Sequence, residues 1–120
     1  MSTILTIDIG NTNIVIGLFE SKNLTNKWRL QTDSQKSADD YAIDMVELML
    51  TKKIDCLKIT GAVIASVVPL VTGKILEALK KILSSEVHKN ISVIDEKILI
   101  SLIDIQLGNK TEVGHDRLIN

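Results

Sequence analysis

Two short stretches concentrate the side chains that can do chemistry: Asp8-Ile9-Gly10-Asn11-Thr12-Asn13 and Glu112-Val113-Gly114-His115-Asp116-Arg117. In the first, Asp8 is a carboxylate inside an apolar run (Ile4, Leu5, Ile7, Ile9), next to four residues that favour turns. Gly, Asn and Thr accept unusual backbone angles and hydrogen-bond their own backbone. A turn of this kind aims several N–H groups, hydroxyls and amides at one point, which makes an anion-binding concavity. A buried carboxylate needs a cation or strong donors nearby. A phosphate held by the turn, with Mg²⁺ bridging it to Asp8, satisfies both demands. An Asn-rich turn also closes ordinary hairpins, so the short pattern by itself leaves both possibilities open.

In the second stretch, an adjacent Asp116 and Arg117 near a helix start can divide two tasks. The carboxylate can orient or deprotonate a hydroxyl, and the guanidinium can neutralise an anionic group. Gly114 lets a ligand approach the backbone, and His115 is treated as a neighbour. A helix-capping Asp with a salt-bridging Arg has the same local sequence, and that alternative stays open. Other catalytic sets fail. Cys56 is the single cysteine, no elbow motif surrounds any serine, and His88 and His115 lack zinc-ligand spacing.

The elements that position these groups follow from pattern. Ile4 to Ile9 and Ile14 to Leu18 read as two strands of a hairpin, and Leu24 to Leu30 as a third. In the third, Trp28 and Leu30 share one face while Lys27 and Arg29 share the other. Ser37-Ala38-Asp39-Asp40 is a helix N-terminus, with Ser37 capping and acidic residues in the first turn. The helix runs to about Lys52, with Tyr41, Met45, Leu48 and Met49 inward. The run from Gly61 to Val68 predicts a central strand covered on both faces. Pro69 opens a second helix, whose buried stripe is Val71, Ile75, Leu79 and Ile82. Ser66-Val67-Val68-Pro69, at a strand's C-terminal end, is placed to lie beside a site. Ile91 to Ile94 is a short strand, Leu99 to Ile105 is ambiguous, and a last helix begins near Gly114.

Composition bounds the rest. With 45% hydrophobic and 24% charged residues, the chain can bury a real core. Aromatics make up only 2%, so that core is built from Ile, Leu and Val. A net charge of −1 gives no electrostatic case for nucleic acid or an anionic membrane. The sequence shows no signal peptide and no membrane-length apolar run, so a soluble cytoplasmic protein is expected.

Taken together, Asp8 to Asn13 after an N-terminal strand, Ser66-Val67-Val68-Pro69, and Glu112-Val113-Gly114-x-Asp116-Arg117 resemble the type III pantothenate kinases of the acetate/sugar kinase, Hsp70 and actin superfamily. Trp28-Arg29 and Lys36 to Asp40 resemble that family too. The resemblance implies an α/β ribonuclease-H-like (actin-like ATPase) domain: a mixed sheet that opens with a three-strand antiparallel meander and is flanked by helices. It implies ATP-dependent phosphorylation of pantothenate, the first step towards coenzyme A. Asp8, Ile9, Gly10, Asn11, Thr12, Asn13, Ile14 and Val15 would bind the ATP phosphates, with Asp8 near their Mg²⁺ or similar divalent ion. Gly114, His115, Asp116, Arg117 and Leu107 would contact pantothenate, and Asp116 would be the general base. A monovalent cation (K⁺ or NH₄⁺) and a homodimer are also implied. The sequence departs from the family pattern at Leu107 (usually Tyr), Lys110 (usually Pro) and His115 (usually Ala). Those departures keep two alternatives open: a kinase for another hydroxyl-bearing metabolite, and a regulatory or transcriptional accessory protein on the same fold. Residues 1–120 are expected to form the N-terminal domain of a truncated two-domain chain, inactive by itself.

Overall fold

The computed structural model describes residues 2–94. Within them the order is β1 (Thr3–Ile9), β2 (Asn13–Glu20), β3 (Asn23–Gln31), α1 (Ala38–Thr51), β4 (Gly61–Ser66), α2 (Pro69–Ile82) and β5 (Ile91–Ile94). Short 3-10 turns at Cys56–Lys58 and Ser85–Asn90 precede β4 and β5. The expected meander, and the alternation of helices and strands after it, are both present. Leu99 to Ile105 and the helix expected near Gly114 lie outside the described residues.

The five strands form one mixed sheet in the order β3-β2-β1-β4-β5. β1–β2 and β2–β3 pair antiparallel, whereas β1–β4 and β4–β5 pair parallel. Side chains alternate across a strand, so the register sorts residues onto two faces. Leu5, Ile7, Ile9, Ile14, Ile16, Leu18, Trp28, Ala62 and Ile64 join one core with Tyr41, Met45 and Met49 of α1 and Val71, Ile75, Ala78 and Leu79 of α2. Both helices therefore cover this first face. The second face carries Thr6, Asp8, Val15, Gly17 and Phe19, and a small cluster there joins Phe19 and Ala65 to Leu24, Val63 and Ile94.

Local signals set the boundaries. The β2–β3 turn holds Ser21 at φ 58°, and a bulge follows Leu18, whose carbonyl accepts the Thr25 hydroxyl at 3.2 Å. Ser37 caps α1 by accepting the Asp40 N–H at 3.1 Å. Past the end of α1, Lys53 turns the chain at φ 58°. Pro69 takes the first turn of α2, where a missing N–H costs nothing. The buried stripe of α2 is Val71, Ile75, Ala78 and Leu79, with Ile82 half-buried.

One boundary differs from expectation. The apolar run to Val68 predicts a longer strand, but β4 stops at Ser66 and Val67 is 48% exposed. The Ser66 hydroxyl accepts the Val68 N–H at 2.8 Å and turns the chain towards α2.

Candidate functional site

Three connections meet at one edge of the sheet, where the parallel strands β1 and β4 both end. They are the β1–β2 turn, the β3–α1 loop and the β4–α2 loop. In open α/β sheets, the crevice beyond the carboxyl ends of the strands is where ligands bind.

Asp8 lies on β1 with Val15 and Ala65 opposite it on the two neighbouring strands. It is only 5% exposed, and among the described residues it is the one buried charged side chain. The reason is register: Ile7 and Ile9 face the helices, so the residue between them must face the other way. Ile9 ends β1, and its carbonyl accepts the Val67 N–H at 3.0 Å. This bond places Ser66-Val67-Val68-Pro69 beside the turn.

Gly10, Asn11 and Thr12 form the turn, and Asn13, Ile14 and Val15 open β2. The Gly10 N–H donates to the Asn13 carbonyl at 2.9 Å and closes the hairpin. Among the described residues, Asn11 and Thr12 donate their own N–H groups to no acceptor. Both are exposed at the tip. The residue types suggested left-handed angles here, yet Asn11, Thr12 and Asn13 all keep negative φ. Their value lies in small polar side chains and available N–H groups.

Sequence reasoning passed over Thr32, in what reads as a polar connection. Its hydroxyl donates to the Gly10 carbonyl at 2.8 Å, and its N–H donates to the Thr12 carbonyl at 2.9 Å. Tyr41 was read only as a core residue. Its fully buried hydroxyl accepts the Asp33 N–H at 2.9 Å and donates to the Asp33 carbonyl at 2.7 Å. From α2, the Lys74 ammonium donates to the Ser34 carbonyl at 2.6 Å. In the structure, the pairing of Asn13 with Gln31 puts residue 32 opposite the turn.

Lys36 reaches over the Tyr41 ring, 5.3 Å from its centre, and pairs with Asp44. The hydrogen bond to Asp44 is the main reason its pKa is raised. No group of three or more His, Cys, Asp or Glu side chains among the described residues is placed to hold a metal ion. Among the described residues, Asp8 is the buried carboxylate at this edge, and its oxygens are the kind of donor that a hard divalent cation takes. Leu107, Gly114, His115, Asp116 and Arg117 lie outside the described residues.

A family model described as type III pantothenate kinase matches residues 4–120. The chain belongs to the type III pantothenate kinase family. A type III pantothenate kinase of Finegoldia magna is 38% identical over 117 residues, which cover 98% of this chain and 43% of that protein. The chain thus spans less than half the length of that relative. Solved structures resemble it at the level of fold. The inorganic polyphosphate/ATP-glucomannokinase from Arthrobacter sp. strain KM aligns with a TM-score of 0.52 and 16% identity, over 94% of this chain and 51% of its own. T. thermophilus RuvC, in complex with a Holliday junction substrate, aligns with a TM-score of 0.55 and 12% identity, over 99% of this chain and 89% of its own. At such low identity these likenesses speak for the fold alone, and this chain shares the ribonuclease-H-like fold with them. No helix among the described residues is long and apolar enough to cross a membrane.

Proposed function

We propose that the complete protein containing these residues transfers the γ-phosphoryl group of ATP to the primary hydroxyl of pantothenate, giving 4'-phosphopantothenate and ADP in the cytoplasm. The observation that carries this proposal is the family match over residues 4–120, which spans both stretches of reactive side chains. In support, Asp8 and the exposed turn sit together at the carboxyl edge of the sheet, as a phosphate site requires.

The assigned roles are as follows. Asp8 to Val15 bind the ATP phosphates through the turn's N–H groups and polar side chains. Asp8 would help to hold a divalent ion, which would supply neutralisation of the phosphate charge. Gly114, His115, Arg117 and Leu107 contact pantothenate. Asp116 takes the proton from the attacking hydroxyl as the new phosphorus–oxygen bond forms and ADP leaves. Residues 1–120 form the N-terminal domain of a two-domain homodimeric enzyme, whose monovalent-cation and adenosine sites lie in the other domain. The share of the Finegoldia relative that is matched supports a second domain.

Coupled detection of ADP release by the complete protein, with Mg²⁺ and K⁺, tests the proposal. Release should depend on pantothenate, and Asp116→Asn should lower kcat by about 10²–10⁴-fold while ATP still binds. ATP binding without pantothenate-dependent turnover would point to another hydroxyl acceptor or a regulatory role, and pantothenate-independent release would mean transfer to water. Failure to bind ATP would overturn the kinase assignment.

A further inference from the structure

We infer that Thr32 is a positioning residue for the nucleotide: it sets the peptide planes of the Gly10–Asn13 turn so that their N–H groups face the phosphates. The inference rests on the kinase function proposed above and adds to it a residue outside the family's reactive stretches.

Thr32 follows directly on β3 and grips the turn at two alternate carbonyls, Gly10 with its hydroxyl and Thr12 with its N–H. Each captured carbonyl belongs to a trans, planar peptide unit, in which C=O and N–H point in opposite directions. Holding the Gly10 carbonyl against Thr32 therefore directs the Asn11 N–H away from Thr32. Holding the Thr12 carbonyl does the same for the Asn13 N–H. A donor array bound for anionic oxygens is effective when its direction is fixed before the ligand arrives.

The anchor is itself fixed. The next residue, Asp33, is bonded through both its N–H and its carbonyl to the hydroxyl of Tyr41, which is fully buried in α1. Lys74 of α2 holds the carbonyl of Ser34. The turn is thus referenced through Thr32 to both helices on the other face of the sheet. A wholly apolar contact would stabilise the loop equally well but would leave the Gly10 carbonyl free to rotate.

Thr32→Val keeps the shape and the backbone N–H and removes only the hydroxyl. In the complete protein it should raise KM for ATP about tenfold, the cost of one lost hydrogen bond, and leave KM for pantothenate unchanged. Thr32→Ser restores the hydroxyl and should return KM for ATP to within about twofold of the parent. Calorimetric titration with MgATP should follow the same order, with the Thr32→Val unfolding midpoint lowered by no more than the loss of one hydrogen bond explains and both proteins folded at the assay temperature. An unchanged KM for ATP in Thr32→Val overturns the inference. So does a fall in the unfolding midpoint with both KM values moving together, and so does a serine variant as impaired as the valine one. If Thr32→Val does not fold, Thr32→Ala against Thr32→Ser makes the same comparison. A parent protein that fails to bind ATP brings down the kinase assignment itself, an outcome distinct from normal parental turnover that ignores Thr32.

Discussion

The two faces of the sheet differ although the same strands build them. On the first face, β1 contributes Leu5, Ile7 and Ile9, all fully buried beneath α1 and α2. On the second it contributes Thr6 and Asp8, beside Gly17 and Val15 of β2. Period-two alternation lets one strand be a scaffold on one side and carry polar groups on the other. The first face gains from every buried methylene and has no use for a charge. The second holds a carboxylate one residue from the strand's end, where the turn and the loops can reach a ligand. A single strand thereby couples the rigid helical layer to the site.

Substitutions on the two faces should separate stability from binding. Ile64→Ala, on the first face of β4 and fully buried, leaves a cavity under the helices. It should cost about 2–5 kcal/mol in urea unfolding. A loss below ~1 kcal/mol would mean that the first face is not the close-packed scaffold described.

Gly17→Ala probes the second face. A methyl there would lie 2.8 Å from the Thr6 hydroxyl and 3.2 Å from Cδ1 of Leu24. Thr6 is β-branched and stiff at χ1, so relief is restricted. The expected loss is about 1–3 kcal/mol by the same unfolding measurement. A neutral outcome would show that this face is loosely packed around Gly17.

The smallest effect belongs to Lys36, half-exposed in its pair with Asp44. Its raised pKa means the folded state holds the proton more tightly than the unfolded chain. The contribution is therefore complete below the ordinary lysine pKa and disappears as pH rises through the raised value. Lys36→Met should cost less than ~1 kcal/mol at neutral pH, and the difference from the parent should close in strong alkali. A difference that persists unchanged in strong alkali would contradict the assigned pair.

Most of the scaffold was legible because its signals are local. Runs of β-favouring apolar residues announced β1 and β2, Ser37 announced α1, and Pro69 announced α2. The end of β4 was not, since Val67 is as apolar as the strand before it and only the Ser66 hydroxyl reveals the turn. Asn11 to Asn13 keep negative φ, since asparagine permits positive φ without requiring it. For the candidate site, Asp8 stood out as a charge in an apolar strand. Thr32 did not, because its partner Gly10 is 22 residues away and nothing in a polar loop signals a contact at that range.

The measurement that bears most directly on the two-faced design is calorimetric titration of MgATP into the complete protein and its Asp8→Asn variant, with unfolding midpoints recorded in parallel. Asp8→Asn preserves size and removes the charge, so affinity for MgATP should fall at least about tenfold at a temperature where both proteins remain folded. Equal affinity in the two proteins, or a loss fully accounted for by unfolding, would contradict the proposed role of Asp8 in nucleotide binding.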